Sequence, residues 1–380
     1  MKYRLTCLTP VLVGNGQKLS PVDYMVWRNQ VNVLDQRRIF RLLARGPRLE
    51  GYLAQLRRAE KLDFASWGGF AQNFADRRVP FEHAAAAACW ERAKGESLQI
   101  PVFASGPDGP YLPGSALKGA LRTGLLFAAW KDDMPARLEA LEAERMMRRP
   151  GETLEQQALG GPGSSLMRAV RISDSRPVPV AALKVYMLRV ATLQARAGGQ
   201  YELGWKQAPR GTVDARRVEE STPLFAEMAA PGTVFEGEWR EHSYLNQPGI
   251  WEALGWKGPL DTAGILRMVN EYAEQLLEQH RQYARRAGLP LVLRSLEEVA
   301  SRLPANGRMA CLLAIGWGSG LLAKSGFMDT DSEAYRRAMA QSPLYARAIH
   351  AGLPFPKTRR IVFLNNQPAA LPGWALLELG

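Results

Sequence analysis

The 380-residue chain is 46% apolar, enough for a large core, and its length suggests two compact units. Lysine and arginine outnumber aspartate and glutamate by 49 to 37, and the formal charge of +12 favours an acidic polymer over a neutral metabolite as partner. No apolar run approaches the roughly 20 residues of a bilayer-spanning helix, and Met1-Lys2-Tyr3-Arg4 does not open a signal peptide, so a cytoplasmic protein away from membranes is expected.

In chain order, residues 3–13 alternate and are rich in β-formers, and Gly14-Asn15-Gly16 follows as a turn. Tyr24-Met25-Val26-Trp27 and Val31-Asn32-Val33-Leu34 flank Arg28-Asn29-Gln30 as a hairpin. Asp35 stands where it would cap a basic helix carrying Arg37, Arg38, Arg41 and Arg45, with Ile39, Phe40, Leu42 and Leu43 expected inward. Residues 84–88 fall in another helical stretch.

Residues 111–122 read Tyr-Leu-Pro-Gly-Ser-Ala-Leu-Lys-Gly-Ala-Leu-Arg, a strand end, a tight turn and a helix start. Ser115 is placed to cap the first amides, and Lys118 and Arg122, four apart, share a helical face. Cations at a helix start, where the dipole already favours anions, point to a polyanion; a solvated surface helix is the alternative. That helix extends to Trp130, and residues 131–149 keep a charged helical periodicity. Residues 151–165, with Gly160-Gly161-Pro162-Gly163, read as a linker or mobile loop.

Strands are expected over 169–174, 183–191 and 232–239, with an irregular loop over 246–259. Residues 265–286 carry Leu266, Val269, Tyr272, Leu276 and Tyr283 at helical spacing, the pattern of a core-facing helix. Two strands, 359–364 and 374–379, close the chain. Helices interleave with strands that lack the continuous apolar runs of a doubly wound sheet, which predicts an α+β fold with antiparallel sheets.

Residues 315–325, Ile-Gly-Trp-Gly-Ser-Gly-Leu-Leu-Ala-Lys-Ser, set three glycines around an aromatic and a hydroxyl, then a cation. Glycine lets a backbone approach a ligand and turn its amides towards phosphate oxygens. A nucleotide-binding P-loop needs Gly directly before its Lys, and Ala323 stands there, so no NTPase follows. A tight turn with Trp317 packed into the core is the alternative. Cys7, Cys89 and Cys311 are far apart and read as small hydrophobes, while His83, His242, His280 and His350 lack zinc-ligand spacing. No metal or cofactor is expected.

Together these segments resemble the RAMP superfamily of CRISPR-associated proteins, and within it the family of fifth subunits of type III-A Csm effector complexes. The resemblance is carried by residues 8–16 and 19–24, the 111–122 segment, Val170-Arg171-Ile172-Ser173-Asp174-Ser175, Pro231-Gly232-Thr233-Val234-Phe235, the 316–325 loop and Phe355-Pro356-Lys357-Thr358-Arg359-Arg360. It implies ferredoxin-like (RRM-like) RAMP domains with helical insertions; the expected boundary falls at Pro177 to Pro179, dividing the chain as 1–177 and 178–380. It also implies a non-catalytic subunit that caps the 3′ region of CRISPR RNA (crRNA) and contributes to its maturation and to complex assembly in antiviral defence. The partners implied are crRNA, target RNA, the repeated backbone subunit and the small helical subunit.

Binding RNA by backbone and base stacking needs cations, amides and aromatic faces. Lys118, Arg122, Arg171, Lys324, Lys357, Arg359 and Arg360 are the expected phosphate contacts, with Trp317 and Tyr111 as the aromatics beside them. Ser115, Gly316, Gly318, Ser319, Gly320 and Ser325 complete the two loops. By resemblance, the loops around Gly14, Gly16 and Lys18, and from Arg210 to Arg216 and Arg217, would touch RNA or a neighbouring subunit. The Arg359-Arg360 pair also fits a solvated strand edge. The competing class is a RAMP endoribonuclease that processes crRNA or cleaves target RNA, which needs a positioned His or clustered carboxylates. Asp23 is the nearest carboxylate to the opening glycines, and in Ser-Pro-Val-Asp-Tyr it is expected to bond local amides in a turn.

Overall fold

The computed structural model describes residues 1–44, 46, 48–58, 61–62, 74–130, 136, 150–196, 200–207 and 214–380. Its first strand, Lys2–Cys7 (β1), buries Tyr3, Leu5 and Cys7 and leaves Lys2 and Arg4 exposed, so one face lies on the core. The other principal strands are Val170–Ile172 (β2), Leu183–Ala195 (β3), Tyr201–Lys206 (β4), Leu224–Ala229 (β5), Val234–Glu241 (β6), Ala310–Ala314 (β7), Thr358–Leu364 (β8), Gln367–Ala370 (β9) and Trp374–Leu379 (β10). The fold is α+β with antiparallel sheets, as expected.

β1 occupies the centre of a five-stranded sheet of order β7-β10-β1-β6-β2. Tyr3 stands opposite Gly237 on one side and Leu379 on the other. This sheet takes strands from both sides of the 177/178 division. The second sheet is built on β3, whose first half pairs with β5 and second half with β4, while β8 runs along its other edge from Phe363 opposite Met187 to Thr358 opposite Thr192. The two sheets meet where Val11, just past β1, bridges to Ala229 at the end of β5.

Two helices, Gly114–Trp130 (α1) and Thr262–Arg286 (α2), cover the five-stranded sheet, and a third, Pro290–Ala300 (α3), packs against α2 and β9 of the second sheet. α2 is the helix expected at 265–286. Asp261 caps it by accepting the Gly264 N–H at 2.8 Å, and Leu266, Val269, Tyr272, Leu276 and Tyr283 are all buried. Asn270 ties it to β7, donating to the Ala310 carbonyl at 3.0 Å and accepting the Leu312 N–H at 2.9 Å. One apolar core runs from Tyr3 to Leu377 through both sheets, and a small second core gathers Leu34, Ile39, Leu43, Tyr52 and Leu62.

That second core belongs to the expected hairpin. Tyr24–Trp27 and Gln30–Leu34 turn through Arg28 and Asn29, whose φ angles of 49° and 57° suit a two-residue turn. A third strand, Ala75–Pro80, joins them. In the helix Gln36–Leu43, Asp35 accepts the Arg38 N–H at 3.0 Å as expected, but only Ile39 and Leu43 point inward. Phe40 and Leu42 are 51% and 59% exposed, because one i,i+4 stripe is all the small core accommodates. Arg45 lies outside the described residues.

The 151–165 segment is a second correction. A helix, Pro150–Leu159, fills most of it and buries Leu154 and Leu159, leaving only the glycines after it as a turn. Apart from Ala136, the charged stretch 131–149 lies outside the described residues.

Candidate nucleic-acid interface

The loop that leaves β1 and the loop that leaves β7 are clasped together. The Trp317 N–H donates to the Leu12 carbonyl at 2.7 Å. Beside it Gly316 has φ +85°, and a β-carbon there would stand 2.2 Å from the same oxygen, so no other residue fits. Ser319 is buried and its hydroxyl donates to the Gly316 carbonyl at 2.8 Å, closing the loop on itself. The amides of Gly318, Ser319 and Gly320 have no backbone partner among the described residues.

Arg360 reaches this loop from β8, its guanidinium carbon 4.8 Å from the centre of the Trp317 ring. Burial holds the Arg360 pKa below the usual arginine value. Clefts of about 720 Å³ and about 550 Å³ lie on the two sides of Trp317, and Lys18, Pro101, Trp317 and Ser319 border both. The larger is bounded by Arg360, Lys206, Thr358, Tyr345 and the carboxylate-bearing Glu96. The smaller is bounded by Gly14, Gly16, Ala116, Gly119, Ala120, Thr123, Gly316 and Lys324. Lys18 and Lys324 are exposed at its edge. Cations, unpaired amides and a half-buried indole thus share one continuous groove, a combination suited to a ribose-phosphate strand with unstacked bases.

The groove unites Gly14, Gly16, Lys18, Gly316, Trp317, Gly318, Ser319, Gly320, Lys324 and Arg360 from the residues read in the sequence. Trp317 is only half-buried, so it is a wall of the groove more than a core residue. Ser325 is not part of it: its hydroxyl is turned onto the backbone of Phe327.

The α1 end of the expected site is built otherwise. At 100° per residue, Ala116, Gly119, Ala120 and Thr123 fall on the groove side of α1, and Lys118 and Arg122 on the opposite side. Lys118 Nζ donates to the Val170 carbonyl at 2.9 Å, and burial, then the Arg171 charge, lower its pKa. Arg122 pairs with Glu155. Ser115 is exposed and caps no amide among the described residues; α1 starts at Gly114, whose N–H donates to Asp174 Oδ1 at 2.8 Å. A β-carbon at 114 would stand 2.5 Å from the Ile172 carbonyl, so glycine is required for this approach. The anion at the helix start is the chain's own Asp174 carboxylate.

Tyr111 is half-buried outside both clefts, its N–H bonded to the Ala104 carbonyl at 3.0 Å. Arg171 is exposed on the edge strand β2, opposite Arg240. Arg216 and Arg217 are exposed, and Arg217 pairs with Glu220 at 2.7 Å; Arg210 lies outside the described residues. Lys357 is half-buried, its pKa lowered by burial and then by Lys206.

Arg359 is buried and not a solvated edge residue, although it also borders the larger cleft. Its Nε donates to His280 Nδ1 at 3.0 Å, its Nη1 to the carbonyls of Pro356 and Thr358 at 2.7 and 2.9 Å, and its guanidinium lies 4.5 Å from the Tyr283 ring centre. Burial pushes its pKa down to about 10. Strand alternation explains the division: Arg359 turns into the core and Arg360 turns to the groove.

Sequence reasoning missed Lys206 and Tyr345, which border the larger cleft, and the Arg77–Glu227 pair, 2.6 Å apart, whose carboxylate is buried and also accepts the Phe103 N–H at 3.3 Å. None sits in a motif. Burial raises the Glu227 pKa, with Arg77 opposing it. Asp23 behaves as expected: one oxygen accepts the Ser20 N–H at 2.7 Å, the other the Gln36 amide at 2.9 Å. Among the described residues no helix is long and apolar enough to cross a membrane.

The sequence profile of the RAMP superfamily matches residues 4–258, more than half of the chain. The chain belongs to the RAMP superfamily. A curated relative, the CRISPR system Cms protein Csm5 of Methanocaldococcus jannaschii, is 22% identical over 191 residues. That alignment covers 46% of this chain and 42% of the relative, less than half of either. Among solved structures, a chain of the cryo-EM Csm-crRNA-target RNA ternary complex of a type III-A CRISPR-Cas system superposes with a TM-score of 0.69, 22% identity and full coverage of both chains. The crystal structure of T. onnurineus Csm5 superposes with a TM-score of 0.64 and 19% identity, covering 98% of this chain and 99% of that one. At such identities the superpositions establish a shared fold.

Proposed function

We propose that this chain is a non-catalytic RNA-binding subunit of a type III-A CRISPR (Csm) effector ribonucleoprotein, capping the 3′ region of crRNA and contributing to its maturation and to assembly in antiviral defence. The observation that carries this reading is the clasp of two glycine loops that sets Lys18, Lys324 and the Arg360-Trp317 pair along one groove. The net charge of +12 supports a polyanionic partner. A superposable chain sits in a Csm-crRNA-target RNA ternary complex, which supports RNA and a multisubunit assembly as the setting. In that setting the repeated backbone subunit is the neighbour whose filament this chain would terminate, with the small helical subunit alongside.

The centre of the five-stranded sheet supports a ferredoxin-like reading. β1, α1, β2, β6 and α2 come in that order along the chain, with β3, β4 and β5 inserted between β2 and β6, and β6 lies between β1 and β2 in the sheet. β10 takes the fourth place beside β1, and β7 is an addition at the edge. A non-catalytic role agrees with Asp23, whose carboxylate is committed to Ser20 and Gln36.

Co-purification tests the proposal. The tagged chain, expressed with its neighbouring proteins, is expected to come out with several of them and a short RNA of defined 3′ end. Recovery of the chain free of RNA and of those proteins would contradict it.

A further inference from the structure

The cleft on the α1 side of Trp317 differs in kind from the one on the Arg360 side. It holds about 550 Å³, within the range of small-molecule sites, and its walls are Leu12, Val102 and Ile315. Its floor is the side of α1 that presents Gly119 and Ala120, which leave room above them because they end at a hydrogen and a methyl. Charge is confined to the mouth, where Lys18 and Lys324 are exposed. The Thr123 hydroxyl on the floor is spent on the Gly119 carbonyl at 3.2 Å.

An apolar slot with cations only at its lip accepts a flat, weakly polar group attached to a charged chain. A phosphate finds its partners at the lip, where Lys18 and Lys324 stand, whereas a base would exchange water for apolar walls and the Trp317 ring. We propose that the slot takes one unstacked nucleobase of the bound strand, whose flanking phosphates stay at Lys18 and Lys324. This inference rests on the RNA-binding reading above. Without a free donor on its floor, the slot admits any of the four bases, which suits a subunit that must hold RNAs of differing sequence.

Gly119→Leu fills the slot from below. Nothing lies within 4 Å of a β-carbon at this position, and leucine is a better helix former than glycine, so the fold is retained. The measurement is binding of the full chain to a single-stranded RNA oligomer and to a set in which each position in turn is abasic, with thermal melting as the check on folding. Wild-type protein is expected to show one position where removal of the base weakens binding about tenfold, the size of one lost stacking contact. Gly119→Leu is expected to bind intact RNA more weakly by a similar factor and to be indifferent to the abasic position, with Gly119→Ala between the two. If Gly119→Leu binds intact RNA like wild type, or if no abasic position stands out, the base slot is wrong while RNA binding stands. If neither protein binds the oligomer, the reading beneath it falls as well.

Discussion

The guanidinium carbon of Arg360 lies 4.8 Å from the centre of the Trp317 ring, joining β8 of the second sheet to the glycine loop after β7. The contact fixes both partners of the groove. A planar cation held on an indole keeps its outer edge for phosphate, and the indole keeps an edge for bases.

Substitution at this pair is therefore expected to be non-additive. Trp317→Ala should weaken binding of a single-stranded RNA by about 1–3 kcal/mol, the range for loss of an aromatic stacking platform. Arg360→Ala should weaken it too, and Arg360→Lys should recover only part, since an ammonium keeps the charge without the planar stack. A double-mutant cycle by fluorescence anisotropy measures the coupling; strictly additive losses would mean that the pair does not act as a unit.

Lys118 and Arg122 should separate stability from binding. Lys118→Ala with Arg122→Ala removes a hydrogen bond to the Val170 carbonyl and a partly exposed ion pair to Glu155. The expected cost is about 1–2 kcal/mol of stability, most of it from Lys118, because exposed ion pairs contribute little. RNA affinity should stay at the wild-type value. Denaturant unfolding and a binding isotherm on the same preparation check both halves.

How far these assignments were legible in the sequence depended on whether they needed phase or only period. α2 announced itself because five apolar residues recur at helical spacing over residues 266–283, and the Arg28-Asn29 turn because it sits between two alternating runs. β7 went unread: Ala310–Ala314 is buried at every position, so it shows no alternation. β9 was missed because a four-residue strand containing Pro368 after an Asn365-Asn366 turn offers almost no pattern.

The site followed the same logic. Glycines flagged both loops, yet that Trp317 bonds to Leu12 is a tertiary fact with more than 300 residues of chain between the partners. Period 2 says that Arg359 and Arg360 face opposite ways, but not which one faces His280. Helical spacing placed Lys118 with Arg122 on one face of α1, but not on the face turned from the groove. The cap of α1 was assigned to Ser115 by proximity, while Asp174, 60 residues on, holds that place.

Stability should depend on pH through His280. It is buried, and burial first, then the Arg359 charge, holds its pKa well below 6.5. The unfolded chain binds a proton near pH 6.5 that the folded chain refuses, so its stabilising contribution is complete above that value and is lost as pH falls below it. The expected slope between pH 6.5 and 5 is up to about 1.4 kcal/mol per unit from this residue. His280→Gln, which can still accept from Arg359, should flatten that part of the profile in chemical denaturation.

Asp23→Ala should leave target cleavage by an assembled complex unchanged, because its carboxylate is occupied by Ser20 and Gln36. The ladder of cleavage products on a gel is the readout. Loss of one product band would assign Asp23 a catalytic part.

The central claim is that Lys18, Lys324 and Arg360 hold RNA by its phosphates in the groove around Trp317. The most direct test is the salt dependence of RNA affinity for wild type and for the triple variant Lys18→Ala, Lys324→Ala, Arg360→Ala. Each phosphate contact on a single strand contributes about 0.7 to the slope of log affinity against log salt, so the triple variant should lose about 2 from it. An unchanged slope in a folded triple variant would place the RNA elsewhere on the protein.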